Sequence, residues 1–228
     1  LINLGGDSLW FDELLTLDSA KQGINSILST QALDRPPGYY VVEHYTVRVF
    51  GSSEFALRLP SAVAGTLAIP LLYLLGQLIG SRRSGVLASL LLTVSPFGLR
   101  YSQEARGYSI QVALAVASSV CLWLALKHTR RRWWILFGVL TALNAYNLFG
   151  AFLVLAGQIA FVGTWWLIQA LKRPRSTRQL LDVVVGLALA GVAAVILYLP
   201  YLQPALRGAF ANIGPDARRA QWYGTSLI

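Results

Sequence analysis

The chain has 228 residues, of which 55% are hydrophobic and 13% are charged, and its formal net charge is +9. A mean hydropathy of +0.55 and recurring apolar runs of about 20 residues exclude an ordinary soluble domain, since only a membrane needs such runs. The basic residues stand in short clusters at the ends of these runs, which is typical of membrane topology signals and not of a nucleic-acid surface. The single cysteine, Cys121, excludes a disulfide framework.

Residues 1–59 are predicted to form an external segment with two helices in the membrane interface. Apolar residues from Leu17 to Leu28 recur at helical spacing and leave polar residues on the other face. The stretch 39–50 is also apolar, but about 12 residues are too few to cross a bilayer. If it crossed, every later basic cluster would change sides. We therefore expect both helices to be amphipathic and to lie flat on the membrane lipids.

Six transmembrane helices are predicted in residues 60–200, and residues 201–228 are expected to begin a further external loop. The predicted spans are roughly 60–80, 85–100, 108–127, 133–147, 150–171 and 180–200, each nearly free of charge. The chain starts at Leu1 and contains no methionine, so we expect it to be part of a longer protein. The predicted fold class is an all-α, polytopic membrane helix bundle.

Successive connections between the predicted spans lie on opposite sides of the membrane, and most of the basic residues then fall on one side. The clusters at 82–83, 127–132 and 172–178 fall together, and the positive-inside rule makes that side cytoplasmic. Every acidic residue except Asp182 then falls on the opposite side, in segments 1–59, 100–107 and 201–228. We therefore expect a multi-pass protein of the plasma membrane with extracytoplasmic chemistry.

Two external segments carry carboxylates beside the predicted membrane surface, namely 8–13 with Asp12 and Glu13, and 101–109 with Glu104. Carboxylates near hydrocarbon are costly unless paired or hydrated, which makes them functional candidates. Partial desolvation also raises proton affinity and suits a carboxylate to accept a proton from a hydroxyl. A helix cap or a solvated loop acid is the competing interpretation of Asp12.

Four motifs occur in an order that resembles one family of membrane enzymes. They are Trp10-Phe11-Asp12-Glu13, Arg35-Pro36-Pro37-Gly38-Tyr39-Tyr40, Ser53-Glu54-Phe55-Ala56-Leu57-Arg58-Leu59-Pro60-Ser61, and Tyr101-Ser102-Gln103-Glu104-Ala105-Arg106-Gly107-Tyr108. This succession is similar to the GT-C glycosyltransferases that use polyprenyl-phosphate sugars, including protein O-mannosyltransferases and lipid A aminoarabinose transferases. The resemblance implies a GT-C-like bundle and a hexosyl- or pentosyltransferase, with residues 1–228 alone expected to be inactive.

The resemblance also implies a mechanism and a set of catalytic residues. Asp12 maps onto the acid regarded as the catalytic base, Glu13 is its neighbour, and Glu104 maps onto the acid of the second external loop. The base would take a proton from an acceptor hydroxyl as the oxygen attacks C1 of the sugar, so the configuration at C1 would be inverted. The lipid phosphate would leave from the opposite face.

Arginines and tyrosines of the same motifs are predicted to bind the donor. A departing phosphate needs cations, and guanidinium groups fit its geometry. Arg35, Arg58 and Arg106 are the predicted phosphate ligands, although Arg58 could anchor the interface and Arg106 could pair with Glu104. The predicted substrate contacts are Tyr39, Tyr40 and Tyr108.

A divalent metal ion is a further expectation, and its site is left open. Many relatives have a histidine where this chain has Arg35, which weakens a metal site built on that position. Glu43 and His44 lie near enough in sequence to be alternative ligands. His44 is equally well interpreted as a solvated or hydrogen-bonded side chain.

Two other functions compete with glycosyl transfer. A transporter or flippase of a lipid-linked or small polar substrate should carry ionisable or helix-breaking residues near the middle of its spans, and the predicted spans carry theirs at the ends. A non-catalytic scaffold with the same fold would make Asp12 and Glu104 dispensable. The acceptor is left unspecified, and nucleic acid is not an expected partner.

Overall fold

The computed structural model describes residues 4–6, 8–30, 36–128 and 130–172, together with five isolated positions between 185 and 196. Within these residues the chain is helical and forms no strand, so the predicted all-α membrane bundle is confirmed. The described helices are α1 (Phe11–Lys21), α2 (Ile24–Thr30), α3 (Gly38–Phe50), α4 (Glu54–Ile79), α5 (Arg82–Thr93), α6 (Pro96–Ser102), α7 (Tyr108–His128), α8 (Arg131–Asn147) and α9 (Ala151–Lys172).

Three of the described helices are long and apolar enough to cross a membrane, namely α4, α7 and the part of α9 from Ala151 to Ile168. The α4 helix has 26 residues and is therefore about 39 Å long. Its start is set by Ser53, whose side chain accepts a hydrogen bond from the Ala56 N–H. The helices α4 and α8 both pack on α7 and form the centre of the bundle.

The predicted span 85–100 is wrong as a single helix. The structure divides it into α5, which has 12 residues, and the short α6. Pro96 cannot continue α5 because it lacks an N–H group, while Ser95 caps the new helix by accepting a hydrogen bond from Gly98. At about 18 Å, α5 is shorter than the hydrocarbon layer.

The segment before α4 contains three helices. The predicted amphipathic helix is divided into α1 and α2 at Gln22 and Gly23, and the stretch predicted at 39–50 is α3. The helix α3 packs on α1, on the start of α4 and on the end of α8. Gly38 permits this last contact, since a Cβ atom there would lie 2.6 Å from the Tyr146 carbonyl oxygen.

Two ends of the bundle can be distinguished. At one end, hydrogen bonds described below join α1, the start of α4, the segment 103–107 and the end of α8. Towards the other end an apolar core from α7, α8 and α9 contains Leu122, Ala125 and Phe137. The predicted span 180–200 and the predicted loop 201–228 lie outside the continuously described residues, so the count of six spans stays a prediction.

Candidate active site

The segment 103–107 between α6 and α7 is held by three buried side chains from three helices. Its Ala105 N–H donates to Glu13 Oε1 at 2.9 Å, and the Arg106 carbonyl accepts from Ser61 at 2.8 Å. The Gly107 carbonyl accepts from the Asn147 amide at 2.8 Å. Three successive residues are thus tied to α1, α4 and α8. We call residues 103–107 the Arg106 loop.

Glu13 forms a buried ion pair with Arg58. The Glu13 and Arg58 side chains are 2% and 5% exposed, and Arg58 Nη2 lies 2.7 Å from Glu13 Oε2. Arg58 Nε donates to the other oxygen, Oε1, at 3.0 Å, which makes the pair bidentate. Burial raises the pKa of Glu13, but hydrogen bonds from Arg58, Ala105 and Trp10 outweigh it, so the pKa lies below its ordinary value.

Arg58 also holds the chain in front of α1. Its Nη1 atom donates to the Leu4 carbonyl at 3.0 Å, and Nη2 lies 3.5 Å from the Ser8 carbonyl. The ion pair therefore joins the segment 4–13, the start of α4 and the Arg106 loop at one point.

Asp12 points the other way from Glu13 and lies at the surface. Its side chain is 61% exposed, and its Oδ2 lies 2.5 Å from Nη2 of Arg106, which is 20% exposed. The partner of Arg106 is therefore Asp12, and not Glu104 as one interpretation of the sequence suggested. An accessible carboxylate is therefore held beside a partly exposed guanidinium. The carboxylate can accept a proton, and the guanidinium can bind an anion.

Glu104 makes a different ion pair on the same loop. Its Oε1 accepts from Arg100 Nε at 2.8 Å, and the Arg100 side chain is largely exposed. Glu104 and Asp12 therefore have separate cationic partners. Neither acid is buried like Glu13, so both remain accessible to a substrate that approaches from the aqueous side.

The three tyrosines predicted to bind substrate line one cavity. Tyr39, Tyr40 and Tyr108 surround a space of about 360 Å³ together with Arg106 and Asn147. This volume is within the usual range of small-molecule sites. We call it the tyrosine cavity, and its remaining lining residues are Pro36, Gly107, Leu148, Phe149 and Gly150.

A larger and mostly apolar groove lies between α4, α6 and α7, with the end of α5 at its edge. Its volume is about 490 Å³. Tyr108 lines both this groove and the tyrosine cavity. The rings of Phe97, Tyr101 and Tyr108 follow one another along the groove, with centroids 6.3 and 4.7 Å apart. We call this space the apolar groove. It can take a hydrocarbon chain, since most of the surface of its walls is apolar.

Glu43 and His44, the candidate metal ligands, have different partners. A hydrogen bond of 2.5 Å joins Glu43 Oε1 to the Tyr39 hydroxyl, which also lies 3.3 Å from Ser61 Oγ. His44 Nδ1 lies 2.8 Å from the Ala20 carbonyl oxygen, so it fastens α3 to α1. No cluster of three or more His, Cys, Asp or Glu side chains suited to a metal occurs among the described residues.

Arg35 lies outside the described residues. Two side chains that build the site were absent from the sequence-based candidates, namely Ser61 and Asn147, which hold the Arg106 loop. Each is a polar residue near the end of an apolar run, a position that offers a weak signal. Pairing with a backbone carbonyl 45 or 40 positions away could not be inferred from that signal.

Comparison with known proteins identifies the family. The family model for dolichyl-phosphate-mannose-protein mannosyltransferase matches residues 34–198, which is more than two thirds of the chain. The match includes Arg58, Glu104, Arg106 and the three tyrosines, while Asp12 and Glu13 precede it. No curated protein and no solved structure matches the chain. The chain belongs to the dolichyl-phosphate-mannose-protein mannosyltransferase family of membrane glycosyltransferases.

Proposed function

We propose that the protein transfers a sugar from a polyprenyl-phosphate donor to an acceptor hydroxyl on the extracytoplasmic side of the plasma membrane. The observation that carries this proposal is the ion pair between Asp12 and Arg106, because Arg106 also lines the tyrosine cavity. The family supports the donor class, since its description names a dolichyl-phosphate sugar. We expect activity to need the full-length protein.

In the proposed reaction Asp12 acts as the base. An acceptor oxygen attacks C1 of the sugar, its proton passes to the Asp12 carboxylate, and the bond between C1 and the phosphate oxygen breaks. The electron pair of that bond leaves with the polyprenyl phosphate. Attack opposite the leaving group inverts C1. The exposure of Asp12 supports this role, because the acceptor must reach the carboxylate.

Arg106 is proposed to receive the donor phosphate. A guanidinium group can stabilise the negative charge that grows on the leaving phosphate. Among the described residues the Arg106 guanidinium forms an ion pair with Asp12, and it can exchange that contact for a phosphate oxygen. Glu104 of the same loop pairs with Arg100 at the end of α6, and we assign Glu104 to acceptor or donor positioning. Arg35 stays a predicted phosphate ligand.

Glu13 and Arg58 receive a structural role in this proposal, in place of the catalytic role that the resemblance implied for Glu13 and the phosphate-binding role predicted for Arg58. Both side chains are buried, and each forms hydrogen bonds with the other and with backbone groups. A buried bidentate pair is costly to break. They are therefore suited to hold Asp12 opposite Arg106 and not to exchange partners during turnover.

The apolar groove is proposed to hold the isoprenoid chain of the donor, and the tyrosine cavity its sugar. Tyr108 lies between the two spaces. A donor with its chain in the groove would therefore bring its phosphate towards the Arg106 loop. Tyrosine rings offer apolar faces and hydroxyl groups, a combination that suits a sugar.

The test is sugar transfer from a radiolabelled polyprenyl-phosphate donor by the full-length protein and two variants. Asp12→Asn should lower the transfer rate by about 10²–10⁴-fold, the usual contribution of a general base. Asp18→Asn is the matched control, since Asp18 is another exposed acid of α1, and it should transfer at the wild-type rate. Unchanged transfer by Asp12→Asn would refute the role of Asp12. Absence of transfer by the wild type with every donor tried would favour a scaffold.

A further inference from the structure

Glu43 is a buried carboxyl group that the proposed chemistry does not use. It is 0% exposed, and its Oε2 atom has no hydrogen-bond partner among the described residues. Its Oε1 atom contacts the Tyr39 hydroxyl. A buried carboxylate anion needs several donors or a cation, because an uncompensated buried charge is costly. One hydroxyl group does not meet that need.

A row of oxygen atoms leads from Glu43 to the Arg106 loop. The Tyr39 hydroxyl lies 2.5 Å from Glu43 Oε1 and 3.3 Å from Ser61 Oγ. Ser61 Oγ in turn donates its only hydrogen to the Arg106 carbonyl at 2.8 Å. The contact between Tyr39 and Ser61 must therefore use the single hydrogen of the Tyr39 hydroxyl.

Counting hydrogens along this row distinguishes the two forms of Glu43. If Glu43 is ionised, Tyr39 must donate to it, and the contact between Tyr39 and Ser61 has no hydrogen. If Glu43 is protonated, it donates to Tyr39, Tyr39 donates to Ser61, and Ser61 donates to the Arg106 carbonyl. Only the protonated form supplies one hydrogen to every contact.

The surroundings of Glu43 favour the same form. The pKa of Glu43 is raised from 4.5 to about 8, and burial is the largest cause. The hydrogen bond with Tyr39 lowers this pKa, and the nearby Glu13 carboxylate raises it by a smaller amount. Glu13 faces Glu43 from α1 and is itself paired with Arg58 of α4. Burial and the neighbouring Glu43 raise the pKa of Tyr39 well above 10, so Tyr39 keeps its proton throughout this range.

We propose that Glu43 is a positioning residue, protonated at neutral pH, which helps to hold the Arg106 loop through Tyr39 and Ser61. Loss of the proton removes the hydrogen bond between Tyr39 and Ser61 and weakens this hold. The loop carries Arg106, so a weaker hold would reduce donor binding without contact between Glu43 and the substrate. This inference rests on the proposed function, because that function assigns Arg106 to the donor phosphate.

The test compares the full-length wild type with Glu43→Gln from mildly acidic to alkaline pH. Glutamine has nearly the same shape, can donate to Tyr39 and cannot ionise. For the wild type we expect the thermal unfolding temperature to fall as pH rises from 4.5 to about 8, because in that window the folded protein binds the Glu43 proton and the unfolded chain does not. The KM for the polyprenyl-phosphate donor should rise as pH passes about 8, where Glu43 of the folded protein ionises. Glu43→Gln should show neither change and should match the wild type at neutral pH. Glu54→Gln, at the start of α4, is the control and should follow the wild type.

Two further variants test the row itself. Tyr39→Phe and Glu43→Leu both interrupt it and should raise the donor KM about tenfold at neutral pH, roughly the effect of one lost hydrogen bond. A Glu43→Gln variant that keeps the wild-type pH dependence of both KM and unfolding temperature would overturn the inference. If the wild type transfers no sugar, the proposed function fails, while the unfolding curves of wild type and Glu43→Gln still decide whether Glu43 is protonated.

Discussion

Glu13 and Arg58, 45 positions apart in the chain, form two parallel hydrogen bonds with Nε–Oε1 and Nη2–Oε2 distances of 3.0 and 2.7 Å. The same carboxylate accepts the Ala105 N–H. One buried side chain therefore determines how α1 lies against the Arg106 loop. Because Asp12 precedes Glu13 and Arg106 follows Ala105, this contact also brings Asp12 to Arg106.

The first prediction concerns the cost of breaking the Glu13–Arg58 pair. Glu13→Ala or Arg58→Ala should lower the free energy of unfolding by about 3–5 kcal/mol, because each leaves an uncompensated buried charge. The double variant should lose less than the sum of the two losses. It should still be less stable than the wild type, since the Ala105 N–H and the Leu4 carbonyl lose their partners. The free energy of unfolding of the two single variants and the double variant can be measured on the detergent-solubilised proteins. Additive losses would contradict the pairing.

The second prediction concerns acid pH. The pKa of Glu13 is lower in the folded protein than its ordinary 4.5, so the unfolded chain binds this proton more readily. The stability contributed by Glu13 is therefore present above pH 4.5 and lost as pH falls through the folded pKa. Thermal unfolding curves of Glu13→Gln should decline less steeply below that pH than those of the wild type. Parallel curves would show that Glu13 does not carry the acid sensitivity.

The third prediction separates the two arginines that pair with accessible acids, Arg106 with Asp12 and Arg100 with Glu104. Arg106→Ala should reduce kcat/KM for the donor about 10²-fold or more, since charge-assisted contacts to phosphate contribute to transition-state stabilisation. Arg106→Lys should recover part of this loss, because lysine keeps the charge but not the bidentate geometry. Steady-state transfer assays measure both variants. Arg100→Ala is the comparison and should have a smaller effect, and the reverse order would contradict the assignment of Arg106.

The fourth prediction concerns the apolar groove. Val112 lines the groove, and Val112→Trp should fill part of it. We expect a higher KM for long-chain polyprenyl-phosphate donors and an unchanged KM for a short-chain donor that does not reach that part. Leu91→Trp is the control, because Leu91 is exposed on α5 and does not line the groove. Equal effects of Val112→Trp on both donors would place the chain elsewhere.

Much of the fold could be predicted from the sequence because membrane spans depend on local composition. Apolar runs near 70, 118 and 160 became α4, α7 and α9, and the length of the stretch 39–50 distinguished α3 from a span. The error at 85–100 had a visible cause, since Pro96 already indicated a break. Hydropathy averaged over a window gave that single proline too little weight.

The partners of the charged residues could not be predicted in the same way. Asp12 and Glu13 are adjacent and similar in sequence, yet Asp12 is 61% exposed and Glu13 is 2% exposed. Glu104 is two positions from Arg106 but pairs with Arg100. Adjacent residues of a helix place their side chains on different faces, and only the packing of α1 on the Arg106 loop decides which face is buried.

The sequence by itself determined the class of fold and the main apolar helices, because these follow from hydrophobicity along the chain. The tertiary structure decided which acid is accessible, which arginine it meets and which carboxyl group is buried with a single hydroxyl partner. Those properties depend on desolvation and on contacts between residues 40 or more positions apart, which local sequence does not encode.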